Sequence, residues 1–417
     1  MKINSFLKLS IFLFVCFFLL KITINNEKAK ILAETYLPNK IKTILKIIIK
    51  DQNYTKRFYN DYNTKFLPDT QFADVNFERI KLNFLSRAEA NYFQNLNNQK
   101  VGYIPFFIES LNNQQILITD TKANFYIFKN YQNKSINSKD YNKINDNLES
   151  YKVLDTFIFE NNLFVSFIKL ENECKTFNIS YAEFNKDNLD FKKLFVDNKC
   201  GKWIQGGRMQ YLKHEEKKGI IFSIADNVAD KPNNDPQDEN SFNGKIIFIS
   251  FDKSLNFIYS KGHRNPQGLF TDNNLILSTE HGPRGGDEIN KIEFNKNYGW
   301  PISSYGKKYK KNTGYSQNHK QHGFKEPIYA FIPSIGISEL IKVPNNFIDD
   351  WKNNFLLTSL KRGSIYRVKF SDNYERLIFA EEIFVGQRIR DIKYQDKKIF
   401  LALETKGELG ILSTNFD

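Results

Sequence analysis

An all-β fold is expected beyond about residue 75, where the chain becomes a succession of short apolar runs separated by polar, Asn- and Lys-rich turns. QILITDTKANFYIF, NLFVSFIKL, GIIFSIAD, GKIIFISF, LILSTE, NFLLTSL, SIYRVKF, KIFLALE and GELGILS are strand-length and rich in β-branched and aromatic residues, with no long helical period between them. Such a pattern is open to a sandwich, a barrel or a propeller. Length favours the propeller: about 340 residues are too many for one sandwich, whereas about six four-stranded blades of roughly 50–60 residues each fit them, with no tidy sequence repeat to settle the blade number. A six-bladed β-propeller over residues 75–417 is the fold class predicted. Composition agrees, since 41% hydrophobic and 15% aromatic residues supply a core, and three Cys exclude both a disulfide-dense miniprotein and a multi-Cys metal protein.

The N-terminal elements differ in kind. Ile11 to Leu20 are consecutive apolar residues preceded by Lys2 and Lys8, the pattern of an export signal. No small-x-small cleavage site follows Leu20, so residues 1–25 are read as a signal peptide or, in preference, an uncleaved membrane anchor. Lys8 and Lys21 would snorkel to the interface. In KIKTILKIIIK, Ile41, Ile44, Leu45, Ile48 and Ile49 recur at helical spacing among lysines. Residues 26–74 are therefore read as a basic, helical linker, lying either on the membrane surface or against the globular domain. Together these place the propeller on the periplasmic side of the cytoplasmic membrane.

The net charge of +13 carries no nucleic-acid signature. Of 60 basic residues only 11 are Arg, and the lysines are scattered rather than clustered. Glycine and arginine are uneven. Nineteen of 20 Gly lie from Gly201 onward, the half that also holds Arg208, Arg264, Arg284, Arg362, Arg367, Arg388 and Arg390. Arg beside Gly-rich turns, in a chain that otherwise uses Lys, points to planar bidentate recognition of a carboxylate or similar anion.

Three segments concentrate the candidate chemistry: Gly262-His263-Arg264-Asn265-Pro266-Gln267-Gly268; EHGPRGGDEIN from Glu280, with Asn297-Tyr298-Gly299-Trp300-Pro301; and Gly386-Gln387-Arg388-Ile389-Arg390-Asp391. A Gly/Pro-punctuated loop directly after the apolar strand LILST reads as a rigid site. Its carbonyls and Asp287 and Glu288 suit a hard cation or form an acidic turn. Arg388 and Arg390, two residues apart on a strand, project from one face as a double fork, or pair structurally with Asp391 or Glu382.

EHGPRGGDEIN, NYGWP and GQRIRDI resemble the quinoprotein glucose/sorbosone dehydrogenase family, especially bacterial soluble aldose sugar dehydrogenases that use pyrroloquinoline quinone. The resemblance is close over about residues 200–417 and faint over 75–200. It implies a six-bladed propeller whose top face holds the quinone and calcium and oxidises a sugar-like CH–OH donor. It further implies that Arg264 and Asn265 contact quinone or substrate, and that Lys361, Arg388 and Arg390 clamp the quinone carboxylates. By the same resemblance the Gly282 and Pro283 carbonyls hold the cofactor calcium, and Glu288 and Tyr298 belong to a second, structural calcium.

One position departs from the family. Ile204 stands where the family's general-base His precedes Gln205-Gly206-Gly207-Arg208-Met209, and isoleucine accepts no proton. The following Gly-Asp is Ala225-Asp226, and ESYKVLDTFIF occupies the approximate place of a Gly-Leu-Leu-Gly segment that lines the family's quinone pocket. Three readings follow: a dehydrogenase with a substitute base, His263 or His281; an inactive propeller kept as a membrane-tethered binding module; or altered chemistry on the same scaffold. Cys174 and Cys200, the only thiols outside the apolar N-terminal run, are expected to pair if the domain is exported, the alternative being two free thiols.

Overall fold

The computed structural model describes residues 75–85, 91–94, 100–111, 114–129, 141–226, 234–309, 313–316 and 318–414. The expected anchor at 1–25 and linker at 26–74 lie outside them. Among the described residues no helix is long and apolar enough to cross a membrane. The chain divides into two units, residues 1–64 with 92–101, and residues 65–91 with 102–417. In the first, the described residues belong to a two-stranded ribbon of Asn91–Gln94 with Lys100–Tyr103.

The second unit is the propeller, and its six sheets follow one another along the chain. Their innermost strands are Phe106–Leu111, Lys152–Phe159, Gly206–His214, Pro266–Asp272, Ile337–Lys342 and Ile389–Gln395. These six touch in a closed ring, each meeting the innermost strand of the blades before and after it. We number the blades one to six in this order. Blades one and three each gain a short fifth strand on the outside, Asn188–Leu189 and Lys296–Asn297, added in parallel.

Closure comes from the N-terminal side. Val75–Lys81 is the outermost strand of blade six, paired antiparallel with Glu408–Thr414 from Val75 opposite Thr414 to Lys81 opposite Glu408. Joining both ends of the domain in one sheet turns a row of blades into a ring without an open end. The core is correspondingly divided into six apolar clusters, one at each blade interface. Phe177, Phe195 and Phe222, for example, pack blade two against blade three. Alternation along the strands supplies these faces, because successive side chains of a strand point to opposite sides and so to the two neighbouring blades.

Candidate active site at the propeller axis

The site begins with an irregularity shared by five blades. Near the start of the innermost strands of blades two to six, the register with the second strand shifts between Val153 and Asp155, Gly206 and Met209, Pro266 and Gly268, Ile337 and Leu340, and Ile389 and Ile392. A bulge of this kind re-aims side chains that regular pairing would direct between sheets. The residues inside or beside these bulges include Asp155, Arg208, Gln267, Glu339, Arg390 and Asp391. Gly207 makes one of them possible. Its φ is 97°, and a Cβ there would lie 2.6 Å from the Leu154 Cβ, so only glycine lets blade three approach blade two this closely.

Arg208 plugs the axis. Its Nη1 lies 2.7 Å from Asp155, 3.0 Å from Glu339 and 3.1 Å from Asp391, while Nε donates to the Gln267 carbonyl at 2.7 Å and Nη2 to the Arg390 carbonyl at 2.8 Å. One side chain of blade three thus ties down blades two, four, five and six. Lys393 meets Glu109 at 3.0 Å, and Asp391 accepts from the Ile108 amide at 3.0 Å, which binds blade six to blade one. Four buried carboxylates face two cations here. Burial above all, with the neighbouring carboxylates, pushes Glu109 up to about 8 and Asp155 up to about 7, against the pull of Lys393 and Arg208 respectively.

Beside this plug, on the side where the innermost strands begin, lies a cavity of about 210 Å³. Lys152, Arg388 and Arg390 line it with Gln205, Gln267, His281 and Tyr103. Glu404, fully buried, sits beneath the arginines: Arg388 Nε meets it at 2.5 Å and Arg390 Nε at 2.9 Å. Burial opposes the Glu404 charge, but Arg390 and Arg388 outweigh it and hold the carboxyl below its usual range. The Arg388 guanidinium also lies 4.7 Å from the centre of the Tyr103 ring. A chain of amides then links residues of the cavity wall through Asn265, which is not itself in the wall. Arg390 donates to Gln267 at 3.2 Å, Gln267 to Asn265 at 2.9 Å, and Asn265 to Gln205 at 3.1 Å, with His281 Nδ1 3.4 Å from the Asn265 amide. Burial, with Arg264 and Arg390, lowers the His281 pKa against the pull of Asp287, leaving a neutral imidazole. Exposed Tyr151 and Trp203 precede the cavity residues Lys152 and Gln205 in sequence.

The sequence candidates separate on this geometry. Arg388 and Arg390 come together in the cavity wall, whereas Asn265 is not part of the wall and reaches Arg390 only through Gln267. The expected arginine partners differ too, since Asp391 pairs with Arg208, Glu382 with Arg362, and Glu404 takes the double fork. Lys361 is exposed and absent from the cavity wall. His263 is fully buried away from it, between Glu280 at 3.0 Å and Ser260 at 2.8 Å, and stacks on Tyr298. Ile204 packs in the apolar interface of blades two and three. Asp226 accepts from the Trp300 indole at 2.7 Å.

The assigned calcium positions are engaged otherwise. Arg264 donates to the Gly282 carbonyl at 2.8 Å and to that of His281 at 2.9 Å, so a guanidinium stands at the oxygen expected to face a dication. Asp287 accepts from the Gly282, Gly336 and Ile337 amides. The Tyr298 hydroxyl donates to the Lys291 carbonyl at 2.5 Å and accepts from the Glu293 amide. Glu288 is buried beside Asn290, its carboxyl raised by burial and then by Glu280. Among the described residues no group of three or more His, Cys, Asp or Glu side chains is disposed to hold a metal. Lys152, Gln205, Gln267 and Glu404 were given no role from the sequence. The two glutamines lie inside motifs already singled out, and Lys152 lies in ESYKVLDTFIF, the run placed at the family's pocket-lining segment, whereas Glu404 sits in an ordinary strand-like run that carries no local signal.

A closed six-bladed propeller with a cation-walled axial cavity is the class that fold and site define. The chain belongs to the Glucose / Sorbosone dehydrogenase family, which residues 103–412 match. It is 28% identical over 227 residues to the aldose sugar dehydrogenase YliI of Escherichia coli, covering 49% of this chain and 58% of that protein. It is 30% identical over 194 residues to quinoprotein glucose dehydrogenase B of Acinetobacter calcoaceticus, covering 33% and 38%. These matches span less than two thirds of either relative's length. In structure it is similar to the apo soluble aldose sugar dehydrogenase of Escherichia coli, with TM-score 0.66 at 19% identity over 82% of this chain and 100% of that one. It is similar also to the PQQ-bound aldose sugar dehydrogenase of Streptomyces coelicolor, with TM-score 0.57 at 15% identity over 82% and 98%. The family match reaches into the front half, where the motifs are faint to the eye.

Proposed function

We propose that this protein is a quinone-dependent sugar dehydrogenase that oxidises an aldose or related CH–OH donor in the axial cavity. The observation that carries the reading is the cavity wall, where Lys152, Arg388 and Arg390 present three cations and no carboxylate, in a chain of this family. That donor set fits pyrroloquinoline quinone, a planar tricarboxylate, because fixed guanidinium forks favour carboxylates. Glu404 and Tyr103 hold the Arg388 fork, and Glu404 and Gln267 that of Arg390. When bound, the quinone would supply a two-electron acceptor for hydride. The calcium half of the expectation fits less well, since Arg264 already faces the Gly282 carbonyl, and no step is assigned to a metal.

The chain's own residues supply orientation and proton transfer. Gln205, which lines the cavity and whose side-chain carbonyl accepts from Asn265, offers its amide N–H to a substrate hydroxyl, and a braced donor keeps its aim through the reaction. Ile204 cannot take the hydroxyl proton. Of the two candidate imidazoles only His281 lines the cavity, so we assign the proton acceptor to it. The exposed rings of Tyr151 and Trp203 are suited to the apolar face of a sugar. The disulfide between Cys174 and Cys200 supports an exported, periplasmic location, which the N-terminal apolar run would reach as signal or anchor.

The test is to add the quinone to purified protein, follow its bound absorbance, and then measure aldose-dependent dye reduction. His281→Ala should abolish turnover and leave quinone bound. Failure of both wild type and Ile204→His to bind quinone would overturn the reading in favour of a tethered binding module, the reading that the apolar packing of Ile204 favours.

A further inference from the structure

We infer that Lys152 is the third cation of a polycarboxylate-binding site at the propeller axis, in the role that the sequence assigned to Lys361. Lys152 opens the innermost strand of blade two and lines the same cavity as Arg388 and Arg390. Lys361 is exposed and lines none of it. Among the described residues the Lys152 amine makes no ion pair and no hydrogen bond, unlike the arginines beside it.

The charge count states what such a site would take. Lys152, Arg388 and Arg390 carry three positive charges, and Glu404 beneath them returns one, so two remain uncompensated around a partly open cavity. Uncompensated like charge in partly buried side chains is unfavourable. An anion bearing at least two negative charges removes that imbalance, and the fixed arginine planes mean that little ordering is needed when it binds. The other groups acting on Lys152 agree. Burial lowers its pKa, with Arg390 and Lys175 adding to the effect and Glu404 opposing it. An incoming carboxylate would reverse that pressure and favour the ammonium. Arg388, His281 and Tyr103 complete the titratable lining, and none of them is an acid that could pair with Lys152 near neutral pH.

The inference deepens the quinone reading, so the experiment uses two probes. Pyrroloquinoline quinone and benzene-1,3,5-tricarboxylate, which cannot accept hydride, are titrated calorimetrically into the full chain, into Lys152→Met and into Lys361→Met. Thermal unfolding of each variant checks that it is folded. Loss of one charge-assisted contact weakens binding by about ten- to hundred-fold. The expected result is a loss of that size for both probes in Lys152→Met, with less than a threefold change in Lys361→Met. Binding of the benzene tricarboxylate that depends on Lys152, without binding of the quinone, would uphold the anion site and sink the quinone assignment. Unchanged or tighter binding of both probes to Lys152→Met, a larger loss in Lys361→Met, or no binding of either probe to the wild type would overturn the inference.

Discussion

Replacing Arg208 by Met should be among the most damaging single changes outside the cavity. The guanidinium is 3% exposed and is the hub for Asp155, Glu339 and Asp391 and for the Gln267 and Arg390 carbonyls. Met fills much of the volume but leaves three buried carboxylates with Lys393 as the remaining cation near them. Breaking a buried pair from one side costs about 3–5 kcal/mol. The lost carbonyl contacts do not simply add to this, because they share the same group. At roughly 2 °C per kcal/mol for a domain of this size, the melting temperature should fall by about 6–10 °C.

A pH dependence distinguishes lost charge pairing from lost packing. Burial has already raised Asp155 and Glu339 above their ordinary values with Arg208 in place. Without it they rise further, so the folded variant binds more protons than its unfolded chain. Stability from a raised carboxyl is present below its unfolded pKa and is lost as pH rises through the folded one. The Arg208→Met deficit should therefore be smaller at pH 5 than at pH 8, as read from urea unfolding at both. Arg208→Lys, which keeps charge but loses the fork, should fall between. A cost below about 1 kcal/mol, or a deficit equal at the two pH values, would refute the account of the axis as an ionic plug.

Three further changes test other levels of the structure. The Cys174–Cys200 bridge spans 26 residues, and in the chain-entropy model its removal by Cys174→Ser with Cys200→Ser should cost roughly 3.5 kcal/mol in chemical unfolding; a loss under about 1 kcal/mol would show the loop to be ordered without it. Glu109, pushed up to about 8 by burial, should make wild-type stability decline from pH 6 to pH 8, and Glu109→Gln should flatten that decline; an unchanged slope counts against a protonated Glu109. Ile204→His should leave aldose turnover within about threefold, because position 204 packs between blades two and three and His281 is the assigned acceptor, while lowering stability by about 1–2 kcal/mol for a polar ring in an apolar interface; a rise of tenfold or more, on the order of 1.4 kcal/mol of barrier, would move the proton acceptor from His281 to position 204.

The fold was legible because its determinants are local. Strand-length apolar runs such as LILSTE and KIFLALE, each bounded by turn residues, give the blades; length allows about six of them, and the family resemblance implies six. Closure was not legible, since VNFERIK reads as any strand and nothing in it names Glu408–Thr414 as a partner more than 300 residues away. The site divides along the same line. Arg388 and Arg390 could be read as a fork because alternation along a strand fixes their common face.

What the fork holds could not be read, because it depends on register between strands. Ile389 lies opposite Leu403, and the bulge that follows carries Arg390 and Asp391 to opposite duties, one toward Glu404 and the cavity, the other toward Arg208 and the plug. A slip of one residue would exchange those two faces. It would bring a carboxylate to the cavity wall beside Glu404 and set an arginine against Arg208 on the axis. The same bulge thus fixes both the sign of the cavity and the stability of the plug, so the cation-lined wall and the axial network cannot be altered independently at this strand.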